Sequence, residues 1–256
     1  MNTIAQPLTD TRPFFLQPPK SAYIHIPFCA HKCGYCDFAS VAGQDELADR
    51  YLEALDREMA SLLDGSTAVQ TIFVGGGTPT YISAEQLDRF LDRVVHWFPP
   101  TPGQEFTVES NPNTLSAEKV RILADHGVNR VSLGAQSFHP HLLTRLERNH
   151  DPASVYRAID LLKPSIENLS IDLIFGVPGQ TLDEWTFDLK AGLGLPIEHL
   201  SSYGLTYEKG TPLWKQRRLG IVEPVAEETE AEMFEHLLDA TSAAGFDHYE
   251  VSNFSR

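Results

Sequence analysis

Residues 170–176 read Ser-Ile-Asp-Leu-Ile-Phe-Gly, an apolar run that encloses a single carboxylate, Asp172. Consecutive apolar residues are typical of a β-strand covered on both faces, as in parallel sheets wrapped by helices. This run belongs to a series of short segments rich in Val, Ile, Phe or Tyr and bounded by Gly, Pro or Asn, which is the pattern of strands. The series comprises residues 22–26, 71–74, 106–109, 130–133, 169–175 and 200–205.

The segments between these runs carry helix-start signals. The capping positions are Ser83 with Gln86, Ser116, Asp151 before Pro152, and Thr181 with Glu184. Two of these pairs have capping-box spacing, and proline favours the first position of a helix. Six strands that alternate with about as many helices predict an α/β protein with a parallel sheet, either closed into a barrel or open. A last strand-like piece is expected at 248–254.

Composition and charge limit the classes of function that this chain can have. The chain has 256 residues, 42% of them hydrophobic, and a formal net charge of −15. That charge repels phosphate backbones and argues against a nucleic-acid partner. Residues 1–20 form a polar tail without a signal-peptide pattern, so we expect a cytoplasmic protein. The core is expected at 21–208, and residues 209–256 read as the beginning of a C-terminal region that is cut short.

The three cysteines, Cys29, Cys33 and Cys36, all lie within eight residues. An odd, clustered set argues against disulfides. Three thiolates on one loop can bind three irons of a cubane cluster and leave the fourth iron open for chemistry. The alternatives are a zinc site completed by His25 or His31, and three unrelated thiols. Zinc sites normally have a second ligand pair roughly a dozen residues away, which this sequence lacks.

Six motifs resemble, in order, those of the radical S-adenosylmethionine (SAM) proteins, and most closely their coproporphyrinogen-oxidase-like branch. They are YIHIPFCAHKCGYCDF at 23–38, GGGTPT at 75–80, ESNP at 109–112, GAQSF at 134–138, RNH at 148–150 and IDLIFGVP at 171–178. The resemblance covers residues 21–254. It implies a partial (β/α)6 barrel of the radical SAM type, related to the TIM barrel.

The resemblance also implies cofactors and site residues. It implies a [4Fe–4S] cluster on the metal ligands Cys29, Cys33 and Cys36, with SAM bound beside it. The residues implied for SAM are Tyr23, Tyr35, Gly76, Gly77, Thr78, Glu109, Gln136, Arg148 and Asp172. Among these, the two glycines and Thr78 are implied to hold the methionyl group, although glycines here also suit a tight turn.

Polar residues at strand ends support a ligand site independently, because barrels of this class place their reactive centre at the carboxyl ends of the strands. Glu109, Gln136 and Asp172 each come at or near such an end. An unpartnered carboxylate inside the run around Asp172 would cost several kcal/mol, so a partner is expected, and the SAM ribose hydroxyls supply one. Arg148 can pair with the SAM carboxylate, the alternative being a surface arginine.

His139 and His141, in the stretch FHPHLL, resemble a metal pair only superficially. A proline separates them and no carboxylate follows nearby in the sequence. We therefore expect them to be loop residues.

Two branches of the family differ near the cysteines. The oxygen-independent coproporphyrinogen III oxidases have a fourth cysteine two residues after the third and a longer N-terminal region. Here Phe38 holds that position and only 22 residues precede Tyr23. Both differences favour the HemW-type haem chaperones, which transfer haem to acceptor proteins. The alternative is the oxidase, which decarboxylates its porphyrinogen oxidatively by radical chemistry, and a zinc-stabilised barrel without radical chemistry is a third hypothesis.

The chaperone resemblance implies further ligands and partners. Haem is expected as a cofactor, with a site beyond residue 256, and haem-acceptor proteins as partners. It also implies an electron donor if SAM is cleaved, and peripheral membrane contact through the acceptors. The sequence leaves open whether the chain is an enzyme.

Overall fold

The structure is a computed structural model that describes residues 19–256. Of the tail expected at 1–20, residues 1–18 lie outside the described residues.

Within the described residues, six parallel strands form the centre of the fold and follow one another in chain order along the sheet. They are β1 (Ser21–Ile26), β2 (Thr71–Gly76), β3 (Glu105–Ser110), β4 (Arg130–Gln136), β5 (Asn168–Phe175) and β6 (His199–Gly204). Within the described residues β1 and β6 are not paired with each other, so the sheet is a partial (β/α)6 barrel. All six predicted strands are therefore confirmed. Of the two predicted arrangements, the structure has the barrel, although its first and last parallel strands do not pair.

Eight α-helices accompany the strands in residues 19–256. They are α1 (Ala48–Leu62), α2 (Ala84–Trp97), α3 (Ala117–Asp125), α4 (Pro140–Arg145), α5 (Pro152–Leu162), α6 (Leu182–Leu193), α7 (Pro212–Arg218) and α8 (Glu227–Ala243). The predicted caps are confirmed: Ser83 and Thr181 form complete capping boxes, and Ser116 and Asp151 accept a backbone N–H three residues on. None of the helices within residues 19–256 combines the length and apolar content needed to cross a bilayer.

Strand β5 shows how the two faces of the sheet differ, with apolar side chains packed against the helices and polar side chains directed at the barrel axis. Ile171 and Leu173 are fully buried. They pack on α6 at Gly192, where an added Cβ would come within 2.9 Å of the Ile171 side chain. The alternate residue Asp172 lines the interior instead. Because side chains alternate along a strand, the apolar core lies between sheet and helices and the polar positions face the barrel axis.

The C-terminal segment differs from the prediction. Residues 248–254, expected as one strand-like piece, form two antiparallel strands, β7 (Asp247–Glu250) and β8 (Asn253–Ser255), around a turn at 251–252. Strand β8 pairs antiparallel with β6 and so extends the central sheet.

The expectation that His139 and His141 are loop residues holds for His139, which is the extended N-cap residue just before α4. It is wrong for His141, which lies in the first turn of that helix. A carboxylate that is distant in sequence also lies beside them, since His141 Nε2 is 3.0 Å from Glu184 Oε1 at the start of α6. Sequence neighbours alone did not reveal this partner because α6 follows a different strand.

Candidate functional site

A cleft at the carboxyl ends of the strands brings together eleven of the twelve predicted site residues, and only Tyr23 lies outside its lining. We call it the cysteine cleft, after Cys29, Cys33 and Cys36 in its wall. Its volume is about 130 Å³. The residues lie on β2 to β5 or in the loops that follow β1 to β4, so the parallel order of the strands brings them together.

The cysteine loop follows β1 directly. A two-residue strand, Phe28–Cys29, pairs with Val41–Ala42 and closes the loop at its base. Inside it the Cys36 N–H donates to the Cys33 carbonyl at 3.1 Å. All three cysteines are free and partly buried. Burial raises the pKa of the Cys29 and Cys36 thiols, and the neighbouring cysteine sulfurs raise it further.

This arrangement suits a bound cation. Three thiols share one cleft without a disulfide, and a soft metal centre would hold all three as thiolates. The histidines named in the zinc alternative are engaged elsewhere. The ring of His25 contacts the Tyr23 hydroxyl at 3.0 Å and the Ala39 carbonyl at 2.8 Å, and His31 faces Glu147 at 3.5 Å. The geometry therefore fits a three-cysteine cluster better than a zinc site completed by either histidine.

Arg148 reaches into the cleft beside the cysteines. Its Nη2 donates to the Gly134 carbonyl at 2.8 Å, and its Nη1 donates to the Cys33 sulfur at 3.5 Å. Its Nε is buried and has no hydrogen-bond partner among residues 19–256. An orphaned donor on a guanidinium is a ready partner for a carboxylate. Arg148 is therefore not the surface arginine of the alternative interpretation.

Asp172 faces the cleft from the middle of β5. The Ser132 hydroxyl donates to its Oδ1 at 3.2 Å. Burial raises the pKa of the Asp172 carboxyl to about 6, against the lowering effect of the Ser132 and Ser201 hydroxyls. The partner expected for this carboxylate is thus supplied in part by two serines of the neighbouring strands.

Glu109 ends β3 on the same side. Its Oε2 accepts a hydrogen bond from the Gly76 N–H at 2.9 Å. Burial raises the pKa of the Glu109 carboxyl to about 7, with a further contribution from the charge of Asp172. Two carboxylates and one guanidinium that line the same cleft complement SAM, which carries a carboxylate and two positive centres.

The glycines of the GGGTPT motif are required by the surrounding backbone. Gly76 has φ 115°, and an added Cβ there would collide with the His25 ring. An added Cβ on Gly77 would lie 2.6 Å from the Pro27 carbonyl oxygen. Their lack of side chains lets β2 leave the sheet against the cysteine loop, and Thr78 then lies with its hydroxyl 3.7 Å from the Cys29 sulfur.

Gln136 has φ 65°, a left-handed backbone conformation that is uncommon for a residue other than glycine. It lies at an irregularity in the pairing of β4 with β5. Strained backbone of this kind concentrates at functional sites. The Gln136 side chain lies on the cleft wall.

The two predicted tyrosines differ in position. Tyr35, between Cys33 and Cys36, lines the cleft, and burial raises the pKa of its hydroxyl above its usual range. Tyr23 is 61% exposed and stacks on Phe73 with 6.1 Å between ring centroids. The structure therefore does not bring Tyr23 into the cleft with the other eleven residues.

A larger cavity continues from the cleft into the barrel. This barrel cavity, of about 800 Å³, shares Gln136 and Asp172 with the cleft and is also lined by Arg130, His199 and Tyr249. None of these last three residues was predicted from the sequence as part of a site. The available signal was the alternation of polar side chains within apolar strands, such as Arg130 and Ser132 in β4.

His199 is the most constrained group of this cavity. One ring nitrogen lies 2.9 Å from the Ser170 hydroxyl and the other 2.7 Å from the Tyr249 hydroxyl. Burial, with a smaller contribution from the charge of Arg130, lowers the pKa of His199 to about 4. The imidazole is therefore neutral at physiological pH.

Comparisons with known proteins agree with this geometry. The family model of the radical SAM superfamily matches residues 23–190. The haem chaperone HemW of Lactococcus lactis is 42% identical over 240 residues, which cover 93% of this chain and 63% of that protein. HemW of Bacillus subtilis is also 42% identical, over 93% of this chain and 64% of its own length. The chain thus spans less than two thirds of the length of these relatives.

A solved structure has the same fold. The coproporphyrinogen III oxidase HemN of Escherichia coli superimposes with a TM-score of 0.83 at 24% sequence identity. The match covers 93% of this chain and 56% of that protein. At this identity the likeness establishes the partial barrel and no more.

Proposed function

Because the chain belongs to the radical SAM superfamily, we propose that Cys29, Cys33 and Cys36 hold a [4Fe–4S] cluster and that SAM binds beside it in the cysteine cleft. Membership of the superfamily implies both cofactors. The three free thiols on one loop, none of them in a disulfide, support the assignment of the cluster to these residues. When bound, the cluster supplies an iron without a protein ligand, to which a small molecule can coordinate.

The residues around the cluster have distinct roles in this proposal. The buried Nε of Arg148 binds and orients the SAM carboxylate. Glu109 and Asp172 face its positive centres and its ribose hydroxyls. Gln136, Tyr35, Gly76, Gly77 and Thr78 complete the wall, and Tyr23 acts from outside it. The carboxylates must be ionised to do this, so their raised pKa values make binding sensitive to pH.

We further propose that the chain belongs to a haem chaperone, which carries haem and passes it to acceptor proteins. The main support for this proposal is the 42% sequence identity to proteins named haem chaperone HemW, which extends over 93% of this chain. Phe38 supports it, because an exposed phenyl ring lies at the mouth of both cavities where the oxidases have a fourth cysteine. An electron donor is a partner only if SAM is cleaved, and contact with a membrane would come through the acceptors.

The division of the chain follows from the same proposal. Residues 21–208 are the radical SAM core, and residues 209–256 begin a C-terminal region. The antiparallel β8 on the edge of β6 supports a region that continues the core sheet. We propose a cytoplasmic location.

The second candidate function is an oxygen-independent coproporphyrinogen III oxidase, favoured by the fold of HemN. An anaerobic assay separates the two. Cluster-loaded protein that includes the segment beyond residue 256, where the haem site is expected, is given coproporphyrinogen III together with SAM and a reductant, and a haem titration is run beside it. We expect haem binding without formation of protoporphyrinogen. Catalytic turnover without stable haem binding would make the oxidase the correct function.

A further inference from the structure

Three metal-ligating side chains meet outside the cysteine cleft, at the facing ends of α4 and α6. They are His139, His141 and Glu184, and one ligand atom of each lies within 4.8 Å of the other two. The two histidines come from the segment after β4, and the glutamate comes from the first turn of α6. Two imidazoles and one carboxylate are a ligand set that zinc uses when it keeps a fourth position for water.

The carboxylate is held in place before any ion arrives. Glu184 Oε2 accepts hydrogen bonds from the Thr181 N–H at 2.8 Å and the Thr181 hydroxyl at 3.1 Å. Its other oxygen, Oε1, faces His141 Nε2 at 3.0 Å. The capping box therefore fixes one oxygen and leaves the other directed at the histidines.

His139 is ordered by its surroundings as well. Its ring packs on Phe187 with 4.9 Å between centroids, and its backbone N–H donates to the Ser137 hydroxyl at 3.0 Å. A buried carboxylate, Asp188, lies 3.9 Å from His139 Nε2 and accepts hydrogen bonds from Ser137 and the Phe138 N–H. The same Nε2 lies 3.2 Å from the Glu184 backbone carbonyl oxygen. Carbonyl and carboxylate groups that face the second ring nitrogen orient a metal-bound imidazole, and here they leave Nδ1 of His139 for the ion.

We propose that His139, His141 and Glu184 form a second metal site, for one Zn²⁺ ion, separate from the cysteine cleft. Imidazole and carboxylate ligands select a first-row divalent cation of this kind over Mg²⁺ or Ca²⁺, which prefer oxygen alone. A bound ion would link the segment that follows Gln136 to α6. The site would thus stabilise one wall of the cysteine cleft without contacting its cofactors.

The test is a calorimetric titration of the cluster-loaded chain with Zn²⁺, with the iron content measured before and after to exclude replacement of iron at the cysteines. We expect one Zn²⁺ ion to bind without loss of iron. Two variants, His141→Ala and Glu184→Gln, should each weaken Zn²⁺ binding by at least about tenfold, since even outer-shell changes at metal sites cost 10- to 100-fold. Zn²⁺ should raise the thermal midpoint of the unchanged chain and not that of Glu184→Gln.

The variants are chosen so that folding does not confuse the result. Glutamine at position 184 keeps the capping box, as Gln86 does with Ser83. The matched control is His126→Ala, because His126 faces Asp92 at 3.1 Å and Asp88 at 3.7 Å and so pairs one imidazole with carboxylates. The control should bind Zn²⁺ as the unchanged chain does. No binding, or equal binding in all four proteins, would mean that the three residues form only an ion-paired cluster, and the proposal would be wrong.

Discussion

Lowering the pH from 8 to 6 is expected to weaken SAM binding by roughly twentyfold, and Glu109 is the main cause. Burial raises the pKa of its carboxyl to about 7. If the positive ligand binds only the ionised carboxylate, the apparent Kd scales with 1 + 10^(7 − pH), which is about 11 at pH 6 and about 1.1 at pH 8. Asp172, whose pKa is raised to about 6, adds about a factor of two at the lower pH.

The assay is isothermal titration of the cluster-loaded chain with SAM at several pH values, in buffers of different ionisation heat. Binding should release a proton near pH 6.5 and none near pH 8.5. The Glu109→Gln variant should bind more weakly at pH 8 and lose most of the pH dependence. Glu85→Gln, an exposed glutamate on α2, is the matched control. An equal pH dependence in Glu109→Gln would refute the assignment to this carboxylate.

The same pKa shift has a consequence for stability. The pKa of Glu109 is higher in the folded chain than its usual value of 4.5, so ionisation favours the unfolded state. The penalty is absent below about pH 4.5, grows as the pH rises to about 7 and is constant above it. Without cofactors, Glu109→Gln should therefore stabilise the chain by about 1–3 kcal/mol at pH 8 and have little effect near pH 4, as measured by urea unfolding.

The remaining predictions concern the cluster, Arg148 and the helix contacts. Replacing Cys29, Cys33 or Cys36 by Ala should abolish the absorption near ~400 nm of the reconstituted protein, and a variant that keeps its full iron and sulfide would contradict the ligand assignment. Arg148→Ala should weaken SAM binding by roughly 10- to 150-fold in calorimetry, because a buried charge-assisted pair contributes about 1.5–3 kcal/mol; an unchanged Kd would remove Arg148 from the site. Trp185 is fully buried, and its Nε1 donates a hydrogen bond to the Met233 carbonyl at 2.7 Å, which joins α6 to α8. Trp185→Ala should lower the free energy of unfolding in urea by about 3–5 kcal/mol, and a decrease below about 1 kcal/mol would contradict this role.

Much of the fold could be predicted because local signals and burial agree. The run at 169–175 is a covered strand, and every predicted cap is present, since capping depends on residues only three positions apart. The hairpin of β7 and β8 could not be predicted in this way. Residues 248–254 carry strand-forming side chains on both sides of a short turn that has no glycine or proline to mark it.

The residues that line the candidate site could be predicted from the sequence, but the contacts between them could not. Arg148 and Cys33 are in contact although 115 positions separate them in the chain. Ser132 and Ser201 became visible as partners of Asp172 only when neighbouring strands were brought side by side. The same limit hid Glu184 from His141, because contacts between loops of different strands have no local sequence signal.

The central claim is that SAM binds directly beside a cluster held by Cys29, Cys33 and Cys36. Electron paramagnetic resonance of the reduced, reconstituted chain tests it most directly, with and without SAM. The claim predicts a [4Fe–4S] signal that changes shape when SAM is added, because SAM would reach the iron that lacks a protein ligand. A cluster signal that SAM leaves unchanged at saturating concentration, or no such cluster at all, would contradict it.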